Sequence, residues 1–263
     1  MSTLSHALTD STTMLRRQLR HMRRYPSLTL QLIGLPVIFL LLFVYVFGGT
    51  LGNGIGGASG GRRAYVEYVT PGIILMAMAA TAQGTAVAVA LDMTQGIVAR
   101  FRTMAIWRPS VLTGHVIASV LQALLGIAAV TGVALLIGFR PDATPTEWLA
   151  AAGLLAGFAL ALTWLTVGFG LAAKTVESAS NTPMFLMLLP FLGSGFVPTD
   201  TMPTWLRWFA EHQPFTPLTE TLRGLLLGTP IGDSAAQAIG WCAALTITGY
   251  AWSKYLFNRA TSH

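Results

Sequence analysis

The chain has 263 residues, of which 53% are hydrophobic and only 10% charged, with a mean hydropathy of +0.61 and a net charge of +6. Soluble domains carry about 25% charged residues, so most of this surface must face lipid or other protein. The composition excludes disorder, collagen and a disulfide scaffold, and the one cysteine, Cys242, cannot form an internal disulfide. The 16 Lys and Arg against 10 Asp and Glu sit beside hydrophobic segments, so topology explains the positive balance better than nucleic acid does.

Leu8 to Tyr25 reads as a helix lying in the headgroup plane. At 100° per residue Leu8, Leu15, Leu19 and Met22 fall within about 60° of one another. Arg16, Arg17, Arg20, Arg23 and Arg24 take the opposite side, and Pro26 ends the run. Thr29 to Gly48 is the first apolar stretch, about 20 residues and long enough to cross a bilayer. It is too long for a signal-peptide core and is expected to be retained. Gly48 to Gly61 reads as a flexible loop. Its Gly52, Gly54 and Gly57 match G-x-G-x-x-G without the strand a dinucleotide site requires.

Further spans are expected at Thr70 to Leu91, Thr113 to Phe139 and Trp148 to Ala173. Pro183 to Val197 is a shorter one, about 15 residues, and Ala236 to Tyr255 is the last. Pro203 to Leu227 is too polar to span and too apolar for a solvated loop, which fits a re-entrant or interfacial hairpin. The fold class is therefore all-α integral membrane, with six transmembrane helices, an amino-terminal interfacial helix and a re-entrant hairpin before the last span. Residues 1–28 form the tail and interfacial helix, and 29–263 the transmembrane domain.

With the amino terminus inside, the inner segments hold 11 basic residues: Arg16, Arg17, Arg20, Arg23, Arg24, Arg100, Arg102, Arg108, Lys174, Lys254 and Arg259. The outer segments hold 5, namely Arg62, Arg63, Arg140, Arg207 and Arg223. Both termini are thus expected in the cytoplasm.

Titratable groups are scarce within the spans. Asp92, Lys174 and Lys254 fall at cytoplasmic span ends, where snorkelling suffices. The absence of a carboxylate at mid-depth argues against an ion-coupled carrier. His6, His21, His115, His212 and His263 lack metal-ligand spacing, and His115 reads as an interfacial polar residue. Gly168 to Thr175 approaches G-x-x-x-x-G-K-[ST], but Ala173 replaces the second glycine and the stretch closes a span instead of following a strand. No catalytic, metal or cofactor-binding residue is therefore assigned, and any ATP that drives this protein is hydrolysed by another subunit.

Thr81, Gln83, Thr85, Gln122, Thr131, Thr163, Thr166 and Ser194 are mild polar groups that read first as interhelical glue. Met76, Met78, Met184, Met187, Phe185 and Phe191 offer an adaptable apolar surface. From these sets Gln83, Met76, Phe185, Met187 and Phe191 are candidates for a substrate path, with helix packing or lipid contact as the alternative. The longest inner loop, Asp92 to Leu112, has Ile97, Phe101, Met104 and Ala105 at helical spacing among Arg100, Arg102 and Arg108, and Pro109 ends it. That pattern suits a short amphipathic helix which lies on anionic lipid or docks into a cytoplasmic partner through Phe101.

The stretch from Gly96 through Arg100, Phe101 and Arg102 to Pro109 resembles the cytoplasmic element of the ABC-2 type exporter permeases, especially the daunorubicin-resistance branch. Phe196 to Leu206 resembles the external signature of the same branch, and His212, Gln213, Pro214, Thr219, Arg223 and Gly224 continue that likeness. Trp107 and Arg108 depart from the acidic residue and leucine that often precede this proline. The resemblance implies a non-catalytic permease subunit in a bacterial plasma membrane. It would pair with a second permease, identical or paralogous, and with two ATPase subunits that hold the ATP and Mg. Gly96, Arg100, Phe101, Arg102, Met104 and Pro109 would then belong to a coupling helix over about 94–109, with Lys174 to Asn181 touching the ATPase too. Pro203, Trp205 and Arg223 would belong to an external hairpin over about 203–227. The implied substrate is a hydrophobic drug-like molecule or lipid; alternatives are lipid-linked polysaccharide or, in a different class, secondary drug transport by an ion-coupled carrier.

Overall fold

A computed structural model of the chain describes residues 26–56, 61–94 and 109–260. All the regular structure among the described residues is helical. Helix α1 (Pro26–Leu42) runs through a π-helical turn (Phe43–Phe47) into α2 (Gly48–Gly56). The glycine-rich segment expected as a loop is thus helical as far as Gly56. Its glycines serve proximity: a side chain at Gly52 would overlap the carbonyl of Gly61, and one at Gly48 would touch the stem of Arg62 at 3.4 Å. Absent side chains let α2 fold back against the start of α3.

Helix α3 (Arg62–Thr94) has 33 residues and begins well before the expected Thr70. At 1.5 Å per residue it is about 50 Å long, so it outreaches a hydrocarbon core of about 30 Å. Every residue from Val69 to Ala82 is buried, as befits a helix that is apolar on all sides. It is the axis of the fold, touching α1, α2, α4 (Pro109–Leu136), α5 (Pro145–Ala172) and α6 (Val176–Asn181). Pro71 is accommodated inside it because neighbouring helices shield the backbone.

The start of α5 is fixed by a capping box. Pro145 opens the helix, the Thr144 N–H donates to Glu147 Oε2 at 2.6 Å, and the Glu147 N–H donates to Thr144 Oγ1 at 3.4 Å. After α6 come α7 (Met184–Leu188), a 3-10 turn (Thr199–Thr201), α8 (Thr204–His212), α9 (Phe215–Leu227) and α10 (Ser234–Ala260). Gly228, at φ +69°, ends α9 in the left-handed conformation and donates its N–H to the Gly224 carbonyl at 2.9 Å. Helix α10 lies along α5. Tyr250 meets Trp164 edge to face at 5.0 Å, and the Ser253 hydroxyl donates to the Trp164 carbonyl at 2.9 Å.

Among the described residues four helices are long and apolar enough to cross a membrane: Ile33–Ile55, Arg62–Thr94, Gly114–Leu136 and Pro145–Ala172. They coincide with the first four expected spans. Helix α10 covers the expected last span with 27 residues but is more polar. The expected Pro183 to Val197 span is not one continuous helix: α7 is five residues long, and turns carry the chain onward past Pro190, Gly193 and Gly195.

Candidate functional site

The broken segment after α7 is where the core departs from plain helix packing, and α9 together with Gln213 just before it supplies missing backbone partners. The Ser194 N–H donates to Thr216 Oγ1 at 3.3 Å, and Gln213 Nε2 donates to the Leu189 carbonyl at 3.3 Å. Arg223 Nη2 donates to the Ser194 carbonyl at 2.8 Å and to the Tyr68 carbonyl of α3 at 3.1 Å. Its guanidinium lies 3.9 Å from the centre of the Tyr68 ring. Irregular backbone away from water needs such partners. Two polar atoms beside them, Arg223 Nε and Ser194 Oγ, are buried with no hydrogen-bond partner.

Against the other side of this segment stands an aromatic cluster. Phe191 and Phe196 stack at 4.2 Å with their planes 7° apart. Phe43, in the π-helical turn, reaches Phe196 at 4.8 Å, and Phe39 meets Phe191 edge-on at 5.9 Å. The Tyr65 hydroxyl donates to the Phe196 carbonyl at 3.4 Å.

A second polar system joins α3, α4 and α5. Asp92 Oδ2 and His115 Nε2 lie 2.9 Å apart and are both buried. Further along the same helices Thr85 contacts Ser119, which accepts from the Thr163 hydroxyl of α5 at 3.4 Å. Asp92 and His115, which the sequence presents as separate groups at span ends, are buried together as a hydrogen-bonded pair. The two helix ends stand close enough to pair these groups and to withdraw both from the surface. The only available signal was their placement on either side of one loop.

The sequence candidates for a substrate path are dispersed. Met76 is 1% exposed inside the core, while Met187 packs half-buried against it. Phe191 is in the aromatic cluster. Phe185 is exposed and meets Phe169 edge-on at 6.1 Å. Gln83 Nε2 donates to the Ser180 carbonyl of α6 at 2.7 Å, which ties α3 to the segment after α5. Of the hairpin residues, Pro203 and Trp205 are exposed at the start of α8, whereas Arg223 lies against the core. Pro109 is the first residue of α4. Gly96, Arg100, Phe101, Arg102 and Met104 lie outside the described residues, as does the expected amino-terminal helix up to Tyr25.

Long apolar helices around a buried, hydrogen-bonded polar interior define a multi-pass membrane protein. The chain belongs to the ABC-2 type transporter family, whose match covers residues 9–227. Membership implies an ATPase partner. Among its relatives is the daunorubicin resistance ABC transporter permease protein DrrB1 of Streptomyces coeruleorubidus, 28% identical over 224 residues, which is 85% of this chain and 77% of that one. The probable doxorubicin resistance ABC transporter permease protein DrrC of Mycobacterium tuberculosis is 24% identical over 237 residues, 86% of this chain and 82% of the relative. From the same organism, the doxorubicin resistance ABC transporter permease protein DrrB is 26% identical over 220 residues, 80% and 72% of the two chains. All three are permease subunits by name.

Proposed function

We propose that this chain is the membrane subunit of an ATP-driven exporter that moves a hydrophobic, drug-like or lipid substrate out of the cytoplasm or the inner leaflet. The observation that carries the reading is similarity over most of its length to permeases named for daunorubicin and doxorubicin resistance. Two ATPase subunits and a second permease complete the assembly. ATP and Mg bind the ATPases and supply the driving force, and this chain converts their closure into movement of its helices.

Residues 94–109 act as the coupling helix, seated on the ATPase through Phe101 and the arginines around it. The Asp92–His115 pair supports that role, because it clasps the two helix ends from which the segment hangs. A displacement there would move α3 and α4 together, and α3 is the helix that touches most of the bundle. Gln83 supports a second route through α6. Both termini are cytoplasmic. The broken segment after α7 and α10 provide the remaining two of six crossings, and the α8–α9 hairpin stands at the outer face.

Affinity purification from native membranes in mild detergent, followed by mass spectrometry and transport in inverted vesicles, tests the proposal. A stoichiometric P-loop ATPase and ATP-dependent doxorubicin uptake, both lost with Phe101→Ala and Arg102→Ala, are expected. Recovery of the chain alone, with uptake driven by a proton gradient and indifferent to ATP, overturns it.

A further inference from the structure

Positive-inside topology leaves few reasons for arginine at the end of the bundle where α3 begins. Three nevertheless line one cleft there. Arg62 and Arg63 on α3 face Arg140, just beyond α4, across a cavity of about 340 Å³ whose remaining walls are Val66, Ile137 and Gly138. Gly138 adopts φ +113°, and nothing lies within 4 Å of where a side chain would begin. Another residue there would be strained by that backbone conformation.

The arginines have only partial local partners. Arg63 pairs with Glu67 at 3.3 Å, and its side chain remains 75% exposed. Arg62 lies over the Tyr45 ring at 5.0 Å. Arg140 Nη1 donates to the Leu135 carbonyl at 2.7 Å and the Phe139 carbonyl at 3.1 Å. A guanidinium has five N–H donors, so among the described residues most of those around the cleft are uncommitted, and Glu67 is the one described carboxylate paired to any of the three. The amino-terminal end of α3 adds its own partial positive charge. Immediately beside the cleft the surface turns apolar: Tyr45 and Val46 are exposed on one side, and Leu135 and the 86% exposed Leu136 on the other.

We infer that this cleft is a binding site for the phosphate of an anionic phospholipid, with the acyl chains lying against the exposed faces of α1 and α4. The juxtaposition argues for a lipid over a soluble anion. Cations line the cleft and exposed apolar residues adjoin it, which is the pattern an amphiphile matches. The inference concerns a fixed lipid and goes beyond the transport reading, on which it does not depend.

Native mass spectrometry of the full chain with phosphatidylglycerol and phosphatidylcholine tests it. Wild type should retain phosphatidylglycerol preferentially. Arg62→Gln/Arg63→Gln/Arg140→Gln should weaken that binding by about a hundredfold, at roughly fivefold per arginine. Arg63→Gln alone, at an exposed position, should lose about fivefold without risk to folding. Arg207→Gln, an arginine outside the cleft, should leave the preference intact. Equal retention of both lipids, or equal loss with Arg207→Gln, overturns the site as a mere effect of surface charge. Release of the lipid by millimolar inorganic phosphate overturns the lipid assignment in favour of a soluble anion.

Discussion

Asp92 and His115 stand 23 positions apart in sequence, yet their side chains meet at 2.9 Å inside the bundle. They join α3 and α4 near the ends of these two helices that face one another across residues 95–108 in sequence. Removing either member takes a buried hydrogen bond from the other, which costs about 1.5–3 kcal/mol where that bond is charge-assisted. Asp92→Leu and His115→Leu should each lower the melting temperature in detergent, and the double variant should lose less than their sum. Strict additivity in that cycle would show that the pair does not act as a unit.

Arg223 grips two carbonyls that belong to different parts of the chain, those of Tyr68 and Ser194. Arg223→Met should destabilise the protein by about 1–3 kcal/mol by leaving both without their partner. Arg223→Lys should restore only part of this loss, because an ammonium lacks the planar fork that stacks on Tyr68. Limited proteolysis reads the effect: cleavage should rise around Pro190 to Gly195. Full protection by lysine would mean that charge alone suffices.

Gly72 and Gly195 bring α3 and the broken segment together backbone to backbone. A methyl group on Gly72 would stand 2.5 Å from the Gly195 carbonyl oxygen. Gly72→Ala should therefore cost about 1–3 kcal/mol through forced displacement. At Gly153 on α5 nothing lies within 4 Å of the added carbon, so Gly153→Ala should stabilise by up to about 1 kcal/mol through helix propensity. Thermal melts of the two variants should shift in opposite directions.

The box at Thr144 and Glu147 is local and exposed, so its effect should be modest and clean. Thr144→Ala should cost about 1 kcal/mol, and Thr144→Ser should recover most of it. Tryptophan fluorescence melts are a suitable readout, since Trp148 lies one turn inside the helix. A melt unchanged by Thr144→Ala would mean that tertiary contacts alone fix the start of α5.

Much of this architecture is legible in the sequence because long apolar runs can satisfy their backbone only as helices. Thr113 to Phe139 and Trp148 to Ala173 anticipate α4 and α5 to within a few residues at each end. What composition hides is proximity. The glycines of 48–61 look like loop residues, yet Gly52 is small because Gly61 backs onto it. Arg62 and Arg63 look like the flank of a span, and α3 nevertheless begins with them. The segment from Pro183 has the hydropathy of a crossing, but Pro190, Gly193 and Gly195 break it, and Gln213, Thr216 and Arg223 make that break tolerable. Asp92 and His115 were both visible, and their partnership was not. Hydropathy reports what a residue prefers, not which residue it will meet.

The π-helical turn at Phe43–Phe47 gives the first helix a feature that straight helices lack. A π turn amounts to one residue more than an α-helix needs over the same rise, so the flanking helices keep their rotational phase with a spare position between them. Losing one residue from the turn, such as the exposed Val46, should let it close into ordinary α-helix while both flanks stay on their neighbours. The same deletion within α1 or α2 would turn everything beyond it by about 100° and put lipid-facing side chains against the core. The turn thus acts as an expansion joint, the one place in this first helix where the length of the chain can change by a residue and its two ends still fit.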